Sequence, residues 1–274
     1  TSARPKMAAR SAIINVITKA CYKAARPLVR DFGEVEKLQV SRKGPGDFVS
    51  KADIRTDRIL REELAFARPD FGFLTEEDAP VESTNFEGQR WIIDPVDGTT
   101  NFLHGIPFFV ISVGLEQKGE IVAGVIYDPL RDELFHAEKG KGAYLNDQRV
   151  RVSGRQLLAD CALATSHSFA GKPHHAEARA LAADIGQRAT VRDLGAAALH
   201  LAYVAAGRLD GFWQVGLSPW NVAAGIVIAR EAGAMVSDFK GRQPRIDGGE
   251  IIAANGAVHR DLLKTFRTHG AAAR

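Results

Sequence analysis

The sequence predicts an α/β protein, layered in the α+β manner, with helices packed on the faces of sheets. Three observations carry this. Apolar residues recur at helical spacing in residues 11–32, 53–68, 176–185, 196–206 and 220–232. Short β-branched and aromatic runs such as Trp91-Ile92-Ile93 lie between them. Glycine and proline punctuate the joins, and interleaving of this kind builds layers of helix on sheet.

Ile13, Ile14, Ile17, Ala20, Cys21, Ala24 and Leu28 form the stripe of the first helix, with Pro27 a point of bending or interruption. Lys43-Gly44-Pro45-Gly46 is a loop signal. A second helix runs from Asp53 to about Arg68 on Ile54, Ile59, Leu60 and Leu64, and Pro69 stops it. Phe71 to Leu74 reads as a short strand that leads into Thr75-Glu76-Glu77-Asp78. Trp91 to Ile93 is another, ending at Asp94. Phe108 to Glu116 and Ile121 to Tyr127 make a hairpin about Lys118-Gly119. Leu134 to Ala137 and Ala143 to Leu145 continue the strands, with Gly140 and Gly142 as turns, and Asp128 and Asp132 flank a turn around Pro129. Beyond them come a helix over 176–185, a strand at Thr190 to Arg192 and a helix from Ala196 to Ala206 closed by Gly207. A strand from Gly211 to Val215 and a helix from Trp220 to Ala232 closed by Gly233 follow. No repeat or low-complexity tract interrupts the pattern.

The 274 residues suit one domain made of two joined lobes, an N-terminal α+β lobe over about 11–150 and a C-terminal α/β lobe over about 151–270. Residues 1–10 are expected to be flexible. The net charge of +3 is scattered without a Lys/Arg cluster, which argues against nucleic acid and is compatible with small anionic substrates. Cys21 and Cys161 make neither a metal-ligand spacing nor a disulfide framework, so a reduced, cytoplasmic setting is expected. No apolar run has the roughly 18 residues of a membrane span, and Thr1 to Arg10 lacks the apolar stretch of a signal peptide.

The chemistry concentrates in Asp94-Pro95-Val96-Asp97-Gly98-Thr99-Thr100-Asn101-Phe102. Two carboxylates at a strand end can converge on one point, and the Val96 carbonyl can join them. Hard cations such as Mg²⁺ take oxygen sets of this kind. Gly98 permits close backbone approach, and Thr99-Thr100-Asn101 has the composition of a helix start, where free N–H groups bind phosphate. A lone D-x-x-D would suit a capped surface turn better than a metal site. Asp53 near a helix start would serve as a favourable N-terminal charge, and Glu76 would fit a solvated acidic run.

The full string resembles the central motif of the inositol monophosphatase family, written D-P-[IL]-D-G-T-x-N-F. Asp47-Phe48-Val49-Ser50-Lys51-Ala52-Asp53 is similar to the family's D-x-V-[ST]-x-x-D, and Thr75-Glu76-Glu77 to its G-E-E. Gly140-Lys141-Gly142-Ala143 is similar to G-x-G-A. Trp220-Asn221-Val222-Ala223-Ala224-Gly225 with Glu231-Ala232-Gly233 is similar to W-D-x-A-A-G and E-A-G. Order and spacing agree over roughly residues 10–265.

The resemblance implies an αβαβα sandwich, commonly a homodimer, that hydrolyses small phosphomonoesters with two or three Mg²⁺ ions. It implies that Glu76, Asp94 and the Val96 carbonyl hold one ion, and that Asp94, Asp97 and residue 221 hold a second. Asp53 and Thr99 orient the attacking water, and the N–H groups of Asp97, Gly98 and Thr99 bind the phosphate. Gly195-Ala196-Ala197-Ala198 corresponds to a substrate-positioning segment written Gly-[ST]-Ala-Ala, so Gly195 and Ala197 are substrate-contact candidates. The expected activity is hydrolysis of myo-inositol monophosphate. The alternatives are another ester, such as histidinol phosphate or a sugar or nucleotide phosphate, or a weakly active or non-catalytic member with a regulatory binding role.

Three departures stand out. Asn221 replaces an Asp ligand, Gln214 replaces a Glu that contacts substrate hydroxyls, and Ala196 replaces a hydroxyl residue. The first two remove negative charge from one rim. His104, His167, His174 and His175 lie in loops that can border the site. Phe108-Phe109 looks exposed enough to serve an interface.

Overall fold

The computed structural model describes residues 10–34, 40–44, 47–77, 88–166 and 175–269. The expected flexible N-terminus therefore lies almost wholly outside the described residues, as do Pro45, Gly46, Asp78, His167 and His174. Helix α1 (Ala12–Phe32) is capped by Ser11, whose side chain accepts from Ile14 N–H at 3.3 Å. Pro27 sits inside this helix without ending it. Strands β1 (Val40–Gly44) and β2 (Asp47–Ser50) form an antiparallel pair that leads directly into α2 (Lys51–Ala67).

A seven-stranded sheet follows. Its strands are β3 (Gly72–Thr75), β4 (Gln89–Asp97), β5 (Val110–Gln117), β6 (Glu120–Asp128), β7 (Glu133–Glu138), β8 (Ala143–Leu145) and β9 (Gln148–Arg149), in that spatial order. Only β3 and β4 pair in parallel. The expected end of β4 at Asp94 is a correction. The strand continues through Pro95 to Asp97 by slipping register between Asp94 and Asp97, so the proline sits where the ladder is already broken.

Short helix α3 (Thr99–Leu103) closes this segment. A smaller five-stranded sheet is ordered β11 (Thr190–Arg192), β10 (Ala162–Ala164), β12 (Gly211–Val215), β14 (Glu250–Ala254), β13 (Met235–Ser237). Helices α4 (His175–Gly186), α5 (Ala197–Ala205), α6 (Pro219–Glu231) and α7 (Gly256–Thr268) connect and flank it. No sequence expectation covered β13, β14 or α7.

The apolar clusters give the layer order. Ile17, Leu28 and Leu60 of α1 and α2 pack with Trp91, Ile93 and Val113 on one face of the large sheet. On its other face, Ile92, Val110 and Ile126 meet Leu199 of α5 and Val227 of α6. Those two helices also cover the small sheet, where Leu201 and Ile226 join Phe212 and Ile251. Leu181 of α4 and Leu262 of α7 cover its far side with Trp213 and Ile252. The result is five layers, αβαβα.

The middle layer explains two of the sequence motifs. Gly114 and Gly124 are register partners on β5 and β6. A Cβ on Gly114 would lie 2.9 Å from the Ala223 side chain, and one on Gly124 would lie 2.7 Å from Ala224 Cα. Gly225, on the other side of α6, presses against Leu201 of α5. The Ala-Ala-Gly of α6 is thus a close seat between sheet and helix. At the far end of α6, both carboxylate oxygens of Glu231 accept from Gly140 and Gly142 N–H at 2.7 Å each. That contact ties the Glu231-Ala232-Gly233 segment to the glycine turn.

Phe109 is no interface residue. It is fully buried, with its ring 5.0 Å from Phe32 and 5.1 Å from Phe102. Phe108 is half-buried beneath the Arg131 guanidinium. Among the described residues, no helix is long and apolar enough to cross a membrane.

Candidate active site

The residues singled out in sequence meet at the end of β4. A cavity of about 670 Å³ opens there, lined by Glu76, Asp94, Val96, Asp97, Gly98 and Thr99 on the large-sheet side. Gly195, Ala197, Gln214 and Asn221 line it from the other side. Asp53 reaches the group from beneath, since Thr99 Oγ1 lies 3.1 Å from Asp53 Oδ1 and 3.0 Å from the Val96 carbonyl. Asp53 is 2% exposed, close to the start of α2. The structure therefore brings all of these candidates together. His104 caps the C-terminus of α3 and does not line the cavity, and His175 opens α4.

Gly98 shows why the motif needs glycine. It sits at φ 102° as the residue before α3, and a Cβ there would lie 2.7 Å from the Phe108 carbonyl. The turn aims the chain into α3 and leaves the first backbone N–H groups of that helix without intrahelical acceptors.

Asp94 is fully buried. Burial pushes its carboxyl well above the ordinary range, and the charges of Glu76 and Asp97 push it further, while a hydrogen bond from Asn221 pulls the other way. Asp97 is raised to about 7 by burial, even though its carboxylate accepts from Ala198 N–H at 2.7 Å and Ala197 N–H at 3.3 Å at the start of α5. Carboxylates drawn together at one cavity wall, two of them buried, are unfavourable as anions. A divalent cation would relieve that repulsion.

The donor set fits such an ion. Glu76, Asp94, Asp97 and the Val96 carbonyl supply hard oxygens only. As they stand, no three His, Cys, Asp or Glu side chains among the described residues are gathered as a ready metal cage. Asn221 departs from expectation. Its Oδ1 accepts from Ser218 N–H at 3.0 Å as the capping box of α6, and its Nδ2 donates to Asp94 Oδ2 at 2.9 Å. The amide oxygen expected to meet a cation is thus engaged elsewhere, and the amide nitrogen faces the acid. Ligation by Asn221 requires the amide to turn and give up both bonds.

The cavity also holds Ser166, Asp193, Leu194, Ile106, His200 and Leu217, none of them a candidate in the sequence, and Phe108, expected there at an interface instead. Asn101 was read only as helix-start composition. It donates from Nδ2 to the Phe108 carbonyl at 2.8 Å and to the Leu194 carbonyl at 2.7 Å. Gly195 at φ 74° passes so close that a Cβ would lie 2.7 Å from Asn101 Nδ2. Its position beside the Gly-Ala-Ala-Ala segment was the available signal for Asp193 and Leu194.

A layered αβαβα sandwich with buried carboxylates and a strand-to-helix turn at one cavity defines the class of sugar-phosphatase-type folds. The profile of the inositol monophosphatase family matches residues 9–271. An inositol-1-monophosphatase of Mesorhizobium japonicum is 52% identical over 94% of this chain and 97% of its own length. The Nus factor SuhB of Escherichia coli is 38% identical over 93% of this chain and 96% of its own. The crystal structure of the extragenic suppressor protein suhB of Bartonella henselae superposes with a TM-score of 0.87 at 49% identity, covering 94% of this chain and 99% of that one. The chain belongs to the inositol monophosphatase family, a family of phosphoric monoester hydrolases.

Proposed function

We propose that this chain hydrolyses a small polyol phosphate, myo-inositol monophosphate first among them, in a Mg²⁺-dependent reaction. The observation that carries the reading is the Thr99–Asp53 couple standing beside the buried Asp94 and Asp97 carboxylates and the half-buried Glu76 at one cavity wall.

The Thr99 hydroxyl donates its hydrogen bond toward Asp53 and the Val96 carbonyl, which leaves the Thr99 oxygen lone pairs to orient a water for attack. The N–H groups of Asp97, Gly98 and Thr99 receive the phosphate at the start of α3. Gly195, Ala197, Gln214 and Asn221 contact the organic part of the ester across the cavity. Glu76, Asp94, Val96 and Asp97, with Asn221 at the edge, would hold two or three Mg²⁺ ions, whose charge would offset the negative charge of the phosphoryl group. The fit of helices α5 and α6 against both sheets supports reading residues 11–270 as one domain. The reading includes a homodimer, on the strength of the resemblance, and a cytoplasmic setting, on the strength of two cysteines that make no disulfide framework.

A second reading is favoured by Asn221. Its amide nitrogen donates to Asp94 while its oxygen is taken by the Ser218 cap, which suits a weakly active member with a binding role. Phosphate release is the test, with and without Mg²⁺, from inositol-1-phosphate, histidinol phosphate, fructose-1,6-bisphosphate and adenosine-3′,5′-bisphosphate. Metal-dependent turnover of any one is expected. Silence on all four from folded protein in millimolar Mg²⁺ would move the assignment to the second reading.

A further inference from the structure

Leu194 is gripped from two sides of the cavity. Its carbonyl accepts from Asn101 Nδ2 at 2.7 Å, and Asn101 belongs to α3, directly after the phosphate turn. Its N–H donates to His200 Nε2 at 3.0 Å, and His200 belongs to α5 beside the small sheet. The residues that follow line the cavity beside the phosphate turn, where a Cβ at Gly98 would lie 3.3 Å from the Ala196 side chain. Gly195 N–H returns to Asp193 Oδ1 at 2.9 Å, and Ala197 and Ala198 N–H reach Asp97.

His200 is an unusual residue for its place. It is 1% exposed on a helix whose other buried residues are apolar, with its ring centroid 5.0 Å from that of Phe212. A backbone N–H can only donate, so Nε2 must accept and the ring is the neutral tautomer with its proton on Nδ1. That Nδ1 has no hydrogen-bond partner among the described residues. Burying an unpaired donor is unfavourable, and an apolar side chain would fill the space without it. The single hydrogen bond the ring makes is the one to Leu194.

We propose that His200 is a positioning residue. By holding Leu194 N–H it fixes the 194–196 stretch of the cavity lining beside the Gly98 turn, and so selects the organic group of the ester that the cavity accepts. The inference deepens the phosphatase reading and rests on it for its kinetic consequence. Asp97 is held by Ala197 and Ala198 N–H within α5, and the phosphate turn by β4 and α3, so the imidazole acts through Leu194 on the stretch of lining that none of those bonds fixes.

The test compares His200→Leu and His200→Asn, which cannot place an acceptor at the Nε2 position, with His200→Gln, whose Oε1 can. Losing one hydrogen bond of this kind corresponds to about a tenfold change in an equilibrium. The Leu and Asn variants are expected to raise KM for the ester about tenfold with a smaller change in kcat. Competitive inhibition by inorganic phosphate should stay within about twofold of the parent, and the Gln variant should recover most of the loss.

Hydrogen exchange at the Leu194 and Gly195 amides supplies a readout independent of turnover. It should quicken about tenfold in the Leu and Asn variants and be restored in Gln. If the parent protein hydrolyses no ester, the phosphatase reading fails on that result while exchange still judges the anchor. Unchanged exchange in all three variants would overturn the proposal. So would an equal loss in all three with phosphate inhibition weakening in step, since that would mark His200 as general packing. A Leu variant that fails to fold leaves the Asn and Gln pair to decide.

Discussion

Asn221→Asp is the substitution that most directly interrogates the acid corner. In the parent, Nδ2 donates to Asp94 Oδ2 at 2.9 Å, and Oδ1 caps Ser218 N–H at 3.0 Å. Aspartate keeps the cap and adds a charge in the first turn of α6, a gain of about 0.5 kcal/mol. It also replaces the donor facing Asp94 by an acceptor. The lost bond to a charged group is worth about 1.5–3 kcal/mol, and two like charges about 4 Å apart at an effective dielectric of 20 repel by about 4 kcal/mol unless one takes up a proton. Protonation caps the cost, so a net destabilisation of about 2–4 kcal/mol is expected in EDTA. For a chain of this size that corresponds to a fall of roughly 5–10 °C in Tm.

Added Mg²⁺ should reverse the order, because the new carboxylate supplies a charged oxygen ligand where the parent offers an engaged amide. An increase in Mg²⁺ affinity of about tenfold or more is expected, equivalent to about 1.4 kcal/mol. Scanning fluorimetry with EDTA and with 10 mM Mg²⁺ (roughly physiological order or above), together with calorimetric Mg²⁺ titration, measures both effects. A variant as stable as the parent without metal, and binding Mg²⁺ equally well, would refute the claim that the Asn221 amide holds the corner in place of a cation.

Other outcomes follow from the same geometry. Thr99→Val removes the hydroxyl beside Asp53 and should lower kcat by about 10²-fold or more, with circular dichroism unchanged, as expected for a group that orients the nucleophile. Glu231→Gln removes the charge that serves Gly140 and Gly142 N–H and should cost about 1–2 kcal/mol in urea melts. Burial holds His200 down at about 4, against an ordinary 6.5, with Asp193 opposing the shift. Between those values the unfolded chain binds a proton that the folded chain does not, so stability falls as pH drops from 6.5 towards 4, by about 3 kcal/mol in all. His200→Gln should remove that part of the slope, and the parent-minus-variant difference cancels contributions from the raised carboxylates, whose sign is opposite.

Much of this was legible because short-range rules wrote it. The stripe of Ile14, Ile17, Cys21 and Leu28 marks α1, and Pro27 fails to break it because three buried neighbours, Ala24, Ala25 and Leu28, hold that turn to the core. Asp94, Asp97, Gly98 and Thr99 lie within six residues, so their convergence needs only one turn. What stayed hidden was set by distant partners. The run Ile251 to Ala254 becomes a central strand because β12 and β13 flank it, and α7 carries Val258, Leu262 and Phe266 at helical spacing after the Asn255 cap, a signal that was present and unread. Leu194 and His200 could not be found by spacing, since their role exists only once Asn101 arrives from 93 residues away. Nor does the letter N at position 221 say which end of the amide faces Asp94.

The facing glycines of β5 and β6 give the middle layer a property of its own. The height of α6 above the large sheet is set there by hydrogen atoms where any other residue would place a carbon. Asn221 rides on the first turn of that helix, so its reach to Asp94 is gauged in the interior of the sheet, remote from any substrate. A methyl group added at Gly114 or Gly124 would act as a shim beneath the start of the helix, lifting its first turn away from the acid it meets. Variation at two residues that touch no ligand would then register as a change in the charge balance of the cavity, with every residue of the cavity itself left unaltered.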